Sequence, residues 1–307
     1  MRPPLATCPA AHVGLDVLVE AWNRAYDGYL VDVSRDAPAL ADHVAAGSVD
    51  LERSLVALDG DQPVGLALLG VRPATDTTQA TDAGDAGERA WVGGFGLAPS
   101  HRGRGLAVHL AEALLDVARG SGVSHVRLEV LTPNVAARRT YERVGFRIAR
   151  RLLVLGGPLA PPADRNREPG KVELLEAAGW TRALGALQRL GGGSAQPWGR
   201  EAAHLTPRPG DVLALAGPES APTAVVLLRP RPAAAAASTA GRPDLSVLTG
   251  AALDDDAADA AVSALAARHP GSACRVVNEP ATSPLAAAFG RAGLAVDLDQ
   301  HEMTVSL

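Results

Sequence analysis

The four residues Arg102-Gly-Arg-Gly105 have the types and spacing expected of an anion-binding loop. They separate an apolar stretch that ends at Leu97 from an amphipathic stretch that begins at Leu106. Glycines at the start of a helix let a ligand approach the backbone N–H groups, and the helix dipole favours negative charge there. The two arginines would add charged donors for a phosphate. Because glycines before helices often serve only steric needs, the loop alone leaves both interpretations open.

The apolar pattern predicts the elements that would hold this loop in place. Apolar residues at helical spacing mark helices, short continuous apolar runs mark strands, and glycines follow the helix ends. The predicted order is a strand at Trp91 to Leu97, a helix at Leu106 to Arg119, a strand at Val123 to Leu131, a helix at Val135 to Val144 after an N-cap at Asn134, and a strand at Ile148 to Leu155. Such an alternation predicts an α/β unit with its ligand at the carboxyl ends of the strands.

The residues before this unit predict two helices, a hairpin and a loop. The helices are expected at Val13 to Tyr26 and Pro38 to Ala46, the hairpin at Ser54 to Leu58 and Pro63 to Val71, and an exposed loop at Arg72 to Glu88. The next strand contains Gly93, Gly94 and Gly96, which are costly in a regular strand. They indicate either a β-bulge or a ligand lying against the backbone.

Aromatic residues are scarce, and three of them crowd the end of the first helix. Phe, Trp and Tyr make up 3% of the chain, and Trp22, Tyr26 and Tyr29 stand where this helix gives way to a turn. They could form the wall of a substrate pocket. Aromatic residues at helical spacing usually pack in a core, however, so core packing is the favoured interpretation.

Length and composition favour a globular protein with two domains. The chain has 307 residues, 47% of them hydrophobic, and its net charge of −5 gives no broad basic surface for nucleic acid. No apolar run is long enough to span a bilayer and the N-terminus has no signal-peptide core, so we expect a cytoplasmic protein without membrane contact. Cys8 and Cys274 have no metal-ligand spacing, which predicts reduced thiols and no metal.

Taken together and in this order, the motifs resemble those of the GNAT N-acetyltransferases. The resemblance is carried by Arg102 to Ala107, Leu128 to Val130, Asn134 to Ala137, Tyr141 and Gly145-Phe146, and it covers about residues 5 to 156. It implies an α/β fold with a mixed (α+β) sheet, the fold of acyl-CoA N-acyltransferases. It also implies acetyl-CoA as the cofactor.

The resemblance assigns roles to individual residues. Coenzyme A would be bound by Leu97, Arg102, Gly103, Arg104, Gly105, Leu106, Ala107 and Asn134. Tyr141 would be the acid that protonates the departing thiolate, and a residue packing on the sheet is the alternative. Glu129 lies mid-strand and points away from Leu128 and Val130, so it could enter the cleft between diverging strands as a base or lie solvated on an outer face.

The remaining chain resembles a degenerate repeat of the first part. When the sequence is aligned with itself at a shift of 148 positions, Leu97 matches Leu245 and segment 97–146 aligns with 245–294 without gaps. Ala251 and Leu253 then replace Gly103 and Gly105, Asp254 to Asp256 follow them, Phe289 replaces Tyr141, and Val277 replaces Glu129. The acidic residues would repel a phosphate, and neither replacement can exchange a proton. This copy should bind no coenzyme A and serve a structural purpose.

We therefore predict a catalytic domain at 1–156, a linker at 157–170 and a non-catalytic domain at 171–307. The catalytic domain would acetylate a primary amine on a small molecule or a peptide. Asp27, Asp32 and Asp36 would suit a cationic acceptor, although a solvated face is the favoured interpretation. The alternatives are a non-catalytic acyl-CoA sensor and a purely structural protein. The sequence leaves open whether the chain forms a homo-oligomer.

Overall fold

A computed structural model describes residues 5–73, 88–160, 171–190, 196–201, 204–231 and 244–307. Most of the predicted loop at 72–88, most of the predicted linker and most of the alanine-rich segment 229–242 lie outside these residues. The chain divides into two compact units between Ala149 and Arg150. The first unit also includes His301–Leu307, and the second ends at Gln300.

The described elements follow the predicted order. The first are β1 (Ala6–Pro9), α1 (Leu15–Ala25), α2 (Ala37–Ala46), β2 (Leu55–Asp59), β3 (Gln62–Arg72), β4 (Glu88–Leu97), α3 (Leu106–Gly120), β5 (Val123–Leu131), α4 (Val135–Arg143) and β6 (Arg147–Pro158). They are followed by β7 (Val172–Leu175), α5 (Trp180–Leu190), β8 (Val212–Ala216), β9 (Ala224–Arg231), β10 (Asp244–Ala252), α6 (Asp255–Arg268), β11 (Ala273–Pro280), α7 (Pro284–Arg291) and β12 (Ala295–Ser306). The mixed α/β fold class is confirmed.

The local sequence explains where helices α2 and α4 begin. The Asp36 carboxylate accepts a hydrogen bond from the Ala39 amide at 2.9 Å and caps α2. The Asn134 side chain accepts one from the Ala137 amide at 3.2 Å and caps α4, as predicted. Asp36 thus has a structural purpose of its own, which removes it from the set of acidic residues considered for an acceptor.

The first unit is built on a mixed sheet with helices on both faces. β1, β2, β3 and β4 pair as antiparallel neighbours, and β5 pairs with β4 in parallel. Leu66 and Leu68 of β3 pack with α1 and α2, whereas the alternate residues Ala67 and Leu69 pack with α3 and α4. The alternation of β3 therefore separates two cores on the two faces of one sheet.

The last strand of this sheet comes from the end of the chain. The Leu307 amide donates to the Ser124 carbonyl of β5 at 2.9 Å, and Met303 is fully buried in the same core as Tyr141. β6 instead pairs with β11 in the second unit. Under the shift of 148, the bounds of β12 coincide with those of β6, so the two copies exchange equivalent strands. The compact units therefore differ from the predicted division, which ends the first domain at residue 156.

The glycines of β4 have two separate structural reasons. Gly93 is an extra residue between the pairs that Val92 and Gly94 make with β3, so the predicted β-bulge is confirmed. A Cβ on Gly94 would lie 2.5 Å from the Trp22 ring, and one on Gly96 would lie 2.9 Å from the Ala25 carbonyl. Helix α1, rather than a ligand, lies against the backbone at these two positions.

The second unit has a similar order of strands, with one difference at the predicted loop. β7 to β10 pair as antiparallel neighbours, β11 is parallel to β10, and β6 follows β11. The helices α6 and α7 fall near the places of α3 and α4 under the shift of 148, but β10 does not match β4. Ala251 lies within β10 and is buried, so placing it in a loop equivalent to that of Gly103 is wrong. No helix in the described parts of the chain is long and apolar enough to cross a membrane.

Candidate active site

Strands β4 and β5 separate after a short ladder, which opens the first sheet. The ladder joins residues 88–91 to residues 123–127, and the later part of each strand borders the opening. The Ala98 amide donates a hydrogen bond to a carbonyl of β3 at 2.7 Å. Successive amides of an antiparallel strand point to opposite sides, so this bond fixes which amides of β4 face β3. By that alternation the amides of Phe95 and Leu97 face away from β3 and into the opening.

The predicted phosphate loop follows β4 directly. Gly103 and Gly105 have φ values of +75° and +79°, and no atom lies within 4 Å of the place where either would carry a Cβ. Gly105 is the N-cap of α3, no side chain caps this end, and the first turn has no acidic residue. The loop thus presents backbone N–H groups in open space at the positive end of a helix. A pyrophosphate fits this place.

The guanidinium of Arg102 is engaged elsewhere, which corrects the expectation that both arginines offer side-chain donors to a phosphate. It donates to the carbonyls of Leu97 at 2.8 Å, Ala25 at 3.0 Å and Asp27 at 2.7 Å. Ala25 is the last residue of α1, and carbonyls at a helix C-terminus favour a cation. Arg102 therefore ties β4 to the end of α1, while the exposed Arg104 remains the charged side chain of the loop.

We expect Arg102→Gln and Arg104→Gln to affect different properties. Arg102→Gln removes hydrogen bonds from a charged donor to the main chain and should lower the free energy of unfolding by about 1–3 kcal/mol. Arg104→Gln removes one exposed charge and should weaken coenzyme A binding a few-fold, less so at high salt, without changing stability. Urea unfolding and calorimetric titration of both variants measure these effects. The reverse pattern would contradict the roles given to the two side chains.

Glu129 lies on the face of the sheet that carries α1 and α2, as the strand alternation predicts. Its carboxylate accepts a hydrogen bond from the Trp91 indole N–H at 2.6 Å, while Leu128 and Val130 are buried on the opposite face. Trp91 is the last residue of β4 that pairs with β5. The hydrogen bond between Trp91 and Glu129 therefore lies at the closed end of the opening, where the two strands are still joined. The half-buried carboxylate is held by an indole. The interpretation of Glu129 as a solvated residue on an outer face is therefore wrong.

Tyr141 lies on the other face of the same opening. It is 7% exposed, and its ring packs edge-on against Phe95 and Phe146 at centroid distances of 5.5 and 5.8 Å. Burial, with smaller contributions from the nearby Tyr26 and Tyr29, raises the pKa of the Tyr141 phenol well above its ordinary value. Tyr141 therefore packs on the sheet and also remains a protonated phenol near the opening, so both interpretations of it stand.

The three tyrosines of the chain meet at this opening. Tyr26 and Tyr29 pack edge-on at 5.2 Å, and Tyr26 is 4.6 Å from Trp22. The Tyr26 hydroxyl accepts a hydrogen bond from the Phe95 amide at 3.2 Å. Burial raises the pKa of Tyr26 to about 12 and also raises that of Tyr29, which the Asn134 side chain lowers by a smaller amount. Core packing, the favoured interpretation, accounts for Trp22, which is 3% exposed. It accounts only in part for Tyr26 and Tyr29, which also lie at the opening.

Beside the tyrosines lies an open cleft of about 700 Å³. It is lined by Glu20, Asn23, Arg24, Tyr26, Asp27, Gly28, Tyr29, Val31, Asp32 and Ser34. Two of the three acidic residues singled out in the sequence, Asp27 and Asp32, are thus wall residues. Hydrogen bonds from the Ser34 side chain and amide lower the pKa of Asp32, which keeps its carboxylate ionised.

A polar group that the sequence did not single out lies between the cleft and the closed end of the opening. The His43 Nε2–H donates to the Gly93 carbonyl at the bulge at 2.7 Å, because a carbonyl can only accept. Burial and the adjacent Arg35 guanidinium lower the pKa of His43, so it is neutral at physiological pH. Its ring lies 5.0 Å from Trp22 and 5.9 Å from Trp91. A lone histidine on a helix face gave no signal that could have identified it.

The corresponding opening of the second unit is filled by its own chain. The Gln196 amide donates to the Gly250 carbonyl of β10 at 3.3 Å, and Arg200 donates to the Val277 carbonyl of β11 at 3.2 Å. The Arg200 guanidinium also pairs with Glu279 at 2.6 Å, and both side chains are buried. Segment 196–201 therefore bonds to both strands where β10 and β11 diverge. At the helix start, the Asp254 side chain caps α6 by accepting from the Ala257 amide at 2.8 Å.

Comparisons with known proteins agree with this architecture. The family model described as Acetyltransferase (GNAT) family matches residues 16–146. N-alpha-acetyltransferase 30 of Schizosaccharomyces pombe is 33% identical over 95 residues, which cover 31% of this chain and 57% of that relative. The chain thus spans little more than half the length of this curated relative.

Solved structures share the fold over both units. A GCN5-related N-acetyltransferase from Sphaerobacter thermophilus matches with a TM-score of 0.62 and 14% identity, covering 100% of this chain and 96% of that one. Another, from Anabaena variabilis, matches with a TM-score of 0.63 and 13% identity, covering 98% and 72%. At such identities the likeness shows the fold alone, and the match to the family model is confined to residues 16–146. Residues 16–146 of the chain are thus similar to the GNAT acetyltransferase family.

Proposed function

We propose that the first unit transfers an acetyl group from acetyl-CoA to a primary amine of a small molecule or of a peptide N-terminus. One arrangement carries this proposal. The open glycine loop, the Leu97 amide of β4 and two side chains that could exchange a proton, Glu129 and Tyr141, border a single opening in the sheet. Glu129 lies on the sheet face that carries the cleft, and Tyr141 lies on the face that carries α3 and α4. An amine and a thiol could therefore exchange protons with side chains on opposite faces of the sheet.

Acetyl-CoA, when bound, supplies the activated acyl group. Its pyrophosphate would be held by the backbone N–H groups of Gly103, Arg104, Gly105, Leu106 and Ala107 and by the Arg104 charge, and its arm would follow the Leu97 amide toward Asn134. The Arg102 N–H donates to the Pro99 carbonyl at 3.2 Å, so Arg102 would shape the loop rather than bind the phosphate. The open space at both glycines supports this fit. The arm would then act as an added strand beside β4.

The chain's own residues would handle the two protons of the transfer. The amine nitrogen forms a bond to the acyl carbon, the carbon–sulfur bond breaks, the nitrogen loses one proton and the sulfur gains one. Glu129 would accept the proton from the amine, directly or through water, and Tyr141 would donate one to the sulfur. Because burial raises the pKa of Tyr141, its phenol keeps the proton below pH 10, so a loss of activity in that range should not come from Tyr141.

A thiol-release assay with acetyl-CoA and a panel of amines tests the proposal. We expect turnover on at least one amine, and a fall of about 10²-fold in kcat for Glu129→Gln and for Tyr141→Phe. Glu112→Gln, the same change at an exposed site on α3, is the control and should keep wild-type turnover. Full turnover of both active-site variants over the whole pH range would show that acid and base are wrongly assigned.

The panel should contain peptides as well as small cationic amines. The Schizosaccharomyces pombe relative is named an N-alpha-acetyltransferase, which brings free α-amino groups into the panel. Asp27 and Asp32 on the cleft wall are the reason to include polyamines in the panel. Because salt screens the attraction between these carboxylates and a cationic amine, the KM for polyamines should rise with salt. Binding of acetyl-CoA without turnover on any acceptor would favour the sensor function instead. A chain that coenzyme A does not stabilise against heat would favour a purely structural one.

For the second unit we propose a structural, non-catalytic purpose. Its opening is occupied by Arg200 and Glu279, its helix α6 is capped by Asp254, and its α7 carries Phe289 where the first copy has a tyrosine. Each of these removes one requirement of the chemistry proposed for the first unit. We further propose that the protein works in the cytoplasm, where acetyl-CoA is available to it.

A further inference from the structure

We propose that the Tyr26 hydroxyl is a hydrogen-bond donor to the acyl oxygen, and thus a catalytic residue rather than only a wall of the acceptor cleft. This inference rests on the proposed function. Its starting point is the Phe95 amide, which faces the opening and is already used, because it donates to the Tyr26 hydroxyl at 3.2 Å. A ligand entering the opening therefore meets a tyrosine hydroxyl at this amide.

The Tyr26 hydroxyl has a hydrogen left to donate. Its oxygen accepts from the Phe95 amide, and its own O–H donates to no other group in the described parts of the chain. A hydroxyl that accepts a hydrogen bond becomes a better donor, because the two bonds polarise each other. The ring is fixed by Trp22 on one side and Tyr29 on the other, at 4.6 and 5.2 Å. The donor is thus already oriented before a ligand binds.

Its position along β4 selects the acyl oxygen as its partner. From the glycine loop inward, β4 presents the Leu97 amide, then the Phe95 amide with Tyr26, then the Gly93 carbonyl held by His43. The Phe95 ring touches Tyr141, the proposed acid for the sulfur, so the thioester belongs at the level of Phe95. Tyr141 and Tyr26 approach this level from opposite faces, one suited to the sulfur and the other to the oxygen beside it.

A donor at this oxygen would act where negative charge develops during acyl transfer. When the amine nitrogen bonds to the acyl carbon, the electron pair of the carbonyl moves to oxygen, and it returns when the carbon–sulfur bond breaks. A fixed donor at that oxygen lowers the barrier of both steps, and removing one typically costs about 10²- to 10³-fold in rate. The Tyr26 proton stays on the tyrosine, because burial keeps this phenol a weak acid.

Infrared spectroscopy of bound acetyl-CoA labelled with ¹³C at the acyl carbon tests this inference without an acceptor. In the wild-type protein the acyl C=O band should lie below its position in water-free reference solvent, and Tyr26→Phe should move it up. Glu112→Gln, the exposed control of the turnover assay, should leave the band at the wild-type position. With an accepted amine, Tyr26→Phe should also lower kcat by about 10²-fold while the Kd of acetyl-CoA changes little.

The outcomes separate this inference from the function on which it rests. If acetyl-CoA binds and is turned over but Tyr26→Phe leaves the acyl band and kcat unchanged, the role of Tyr26 is refuted and the proposed function stands. A shift of the band in Glu112→Gln as large as that in Tyr26→Phe would likewise refute it. If the wild-type protein does not bind acetyl-CoA, the proposed function itself fails. Thermal unfolding should stay cooperative in both variants, which verifies an intact fold; Tyr26→Phe should lower the Tm by a few degrees at most, because the Phe95 amide loses its acceptor.

Discussion

A chain that ends after Gln300 should lose coenzyme binding and acetyl transfer, although every residue of the proposed active site is still present. The missing residues 301–307 include the second half of β12, the strand beside β5. They place Met303 in the core of α3 and α4, and Glu302, 4% exposed, pairs with Arg127 at 3.8 Å. Removing a buried methionine alone costs about 2–5 kcal/mol, a large part of the usual net stability of a domain.

Two point variants provide the scale for this truncation. Met303→Ala should lower the free energy of unfolding by about 2–5 kcal/mol, whereas Met303→Leu, which conserves volume, should cost less than about 1.5 kcal/mol. Urea unfolding followed by tryptophan fluorescence, together with calorimetric titration of coenzyme A, measures both effects. A truncated chain that unfolds like the wild type and binds coenzyme A with unchanged affinity would show that the first unit is complete without residues 301–307.

The double variant Gly103→Ala, Gly105→Leu should abolish detectable coenzyme A binding, a loss of at least about 10²-fold. Both positions have positive φ, so each side chain would strain the loop by about 1–2 kcal/mol or change its path. Each new Cβ would also fill the space in front of the backbone N–H groups that are proposed to hold the pyrophosphate. Calorimetric titration with coenzyme A measures the affinity.

Gly120→Ala is the matched control for the loop variant. Gly120 is the last residue of α3, has no positive φ and also has no atom within 4 Å of its Cβ position. This variant should keep wild-type affinity, which shows that a new methyl group on this helix is harmless away from the loop. Circular dichroism should show an intact fold for both proteins. Unchanged binding by the double variant would refute the loop as the phosphate site.

The sequence was informative where a single stretch of chain decides the structure. The stripe of α1, the cap at Asn134, the bulge at Gly93 and the direction of Glu129 each depend on a few neighbouring residues and on the period of one element. The glycine loop could be recognised for the same reason. Such features need no knowledge of what lies across the sheet.

Other features could not be predicted, because they depend on partners that are distant in sequence. Nothing in an Arg-Gly-Arg-Gly run distinguishes an arginine that binds phosphate from Arg102, which serves carbonyls at the end of α1. The bond from the Phe95 amide to Tyr26 joins residues 69 positions apart. β6 and β12 have equivalent places in the two copies, so either could pair with β5 as far as local pattern is concerned.

The exchange of last strands also bears on how the protein is made. A chain leaves the ribosome N-terminal end first, and domains usually fold as they emerge. Here the segment with the glycine loop, Glu129 and Tyr141 is synthesised early, yet its sheet waits for residues that come after the whole second unit. Contacts so distant in sequence form slowly. The nascent first unit would therefore stay immature until translation has passed residues 301–307, and a chain interrupted before them would lack part of its sheet.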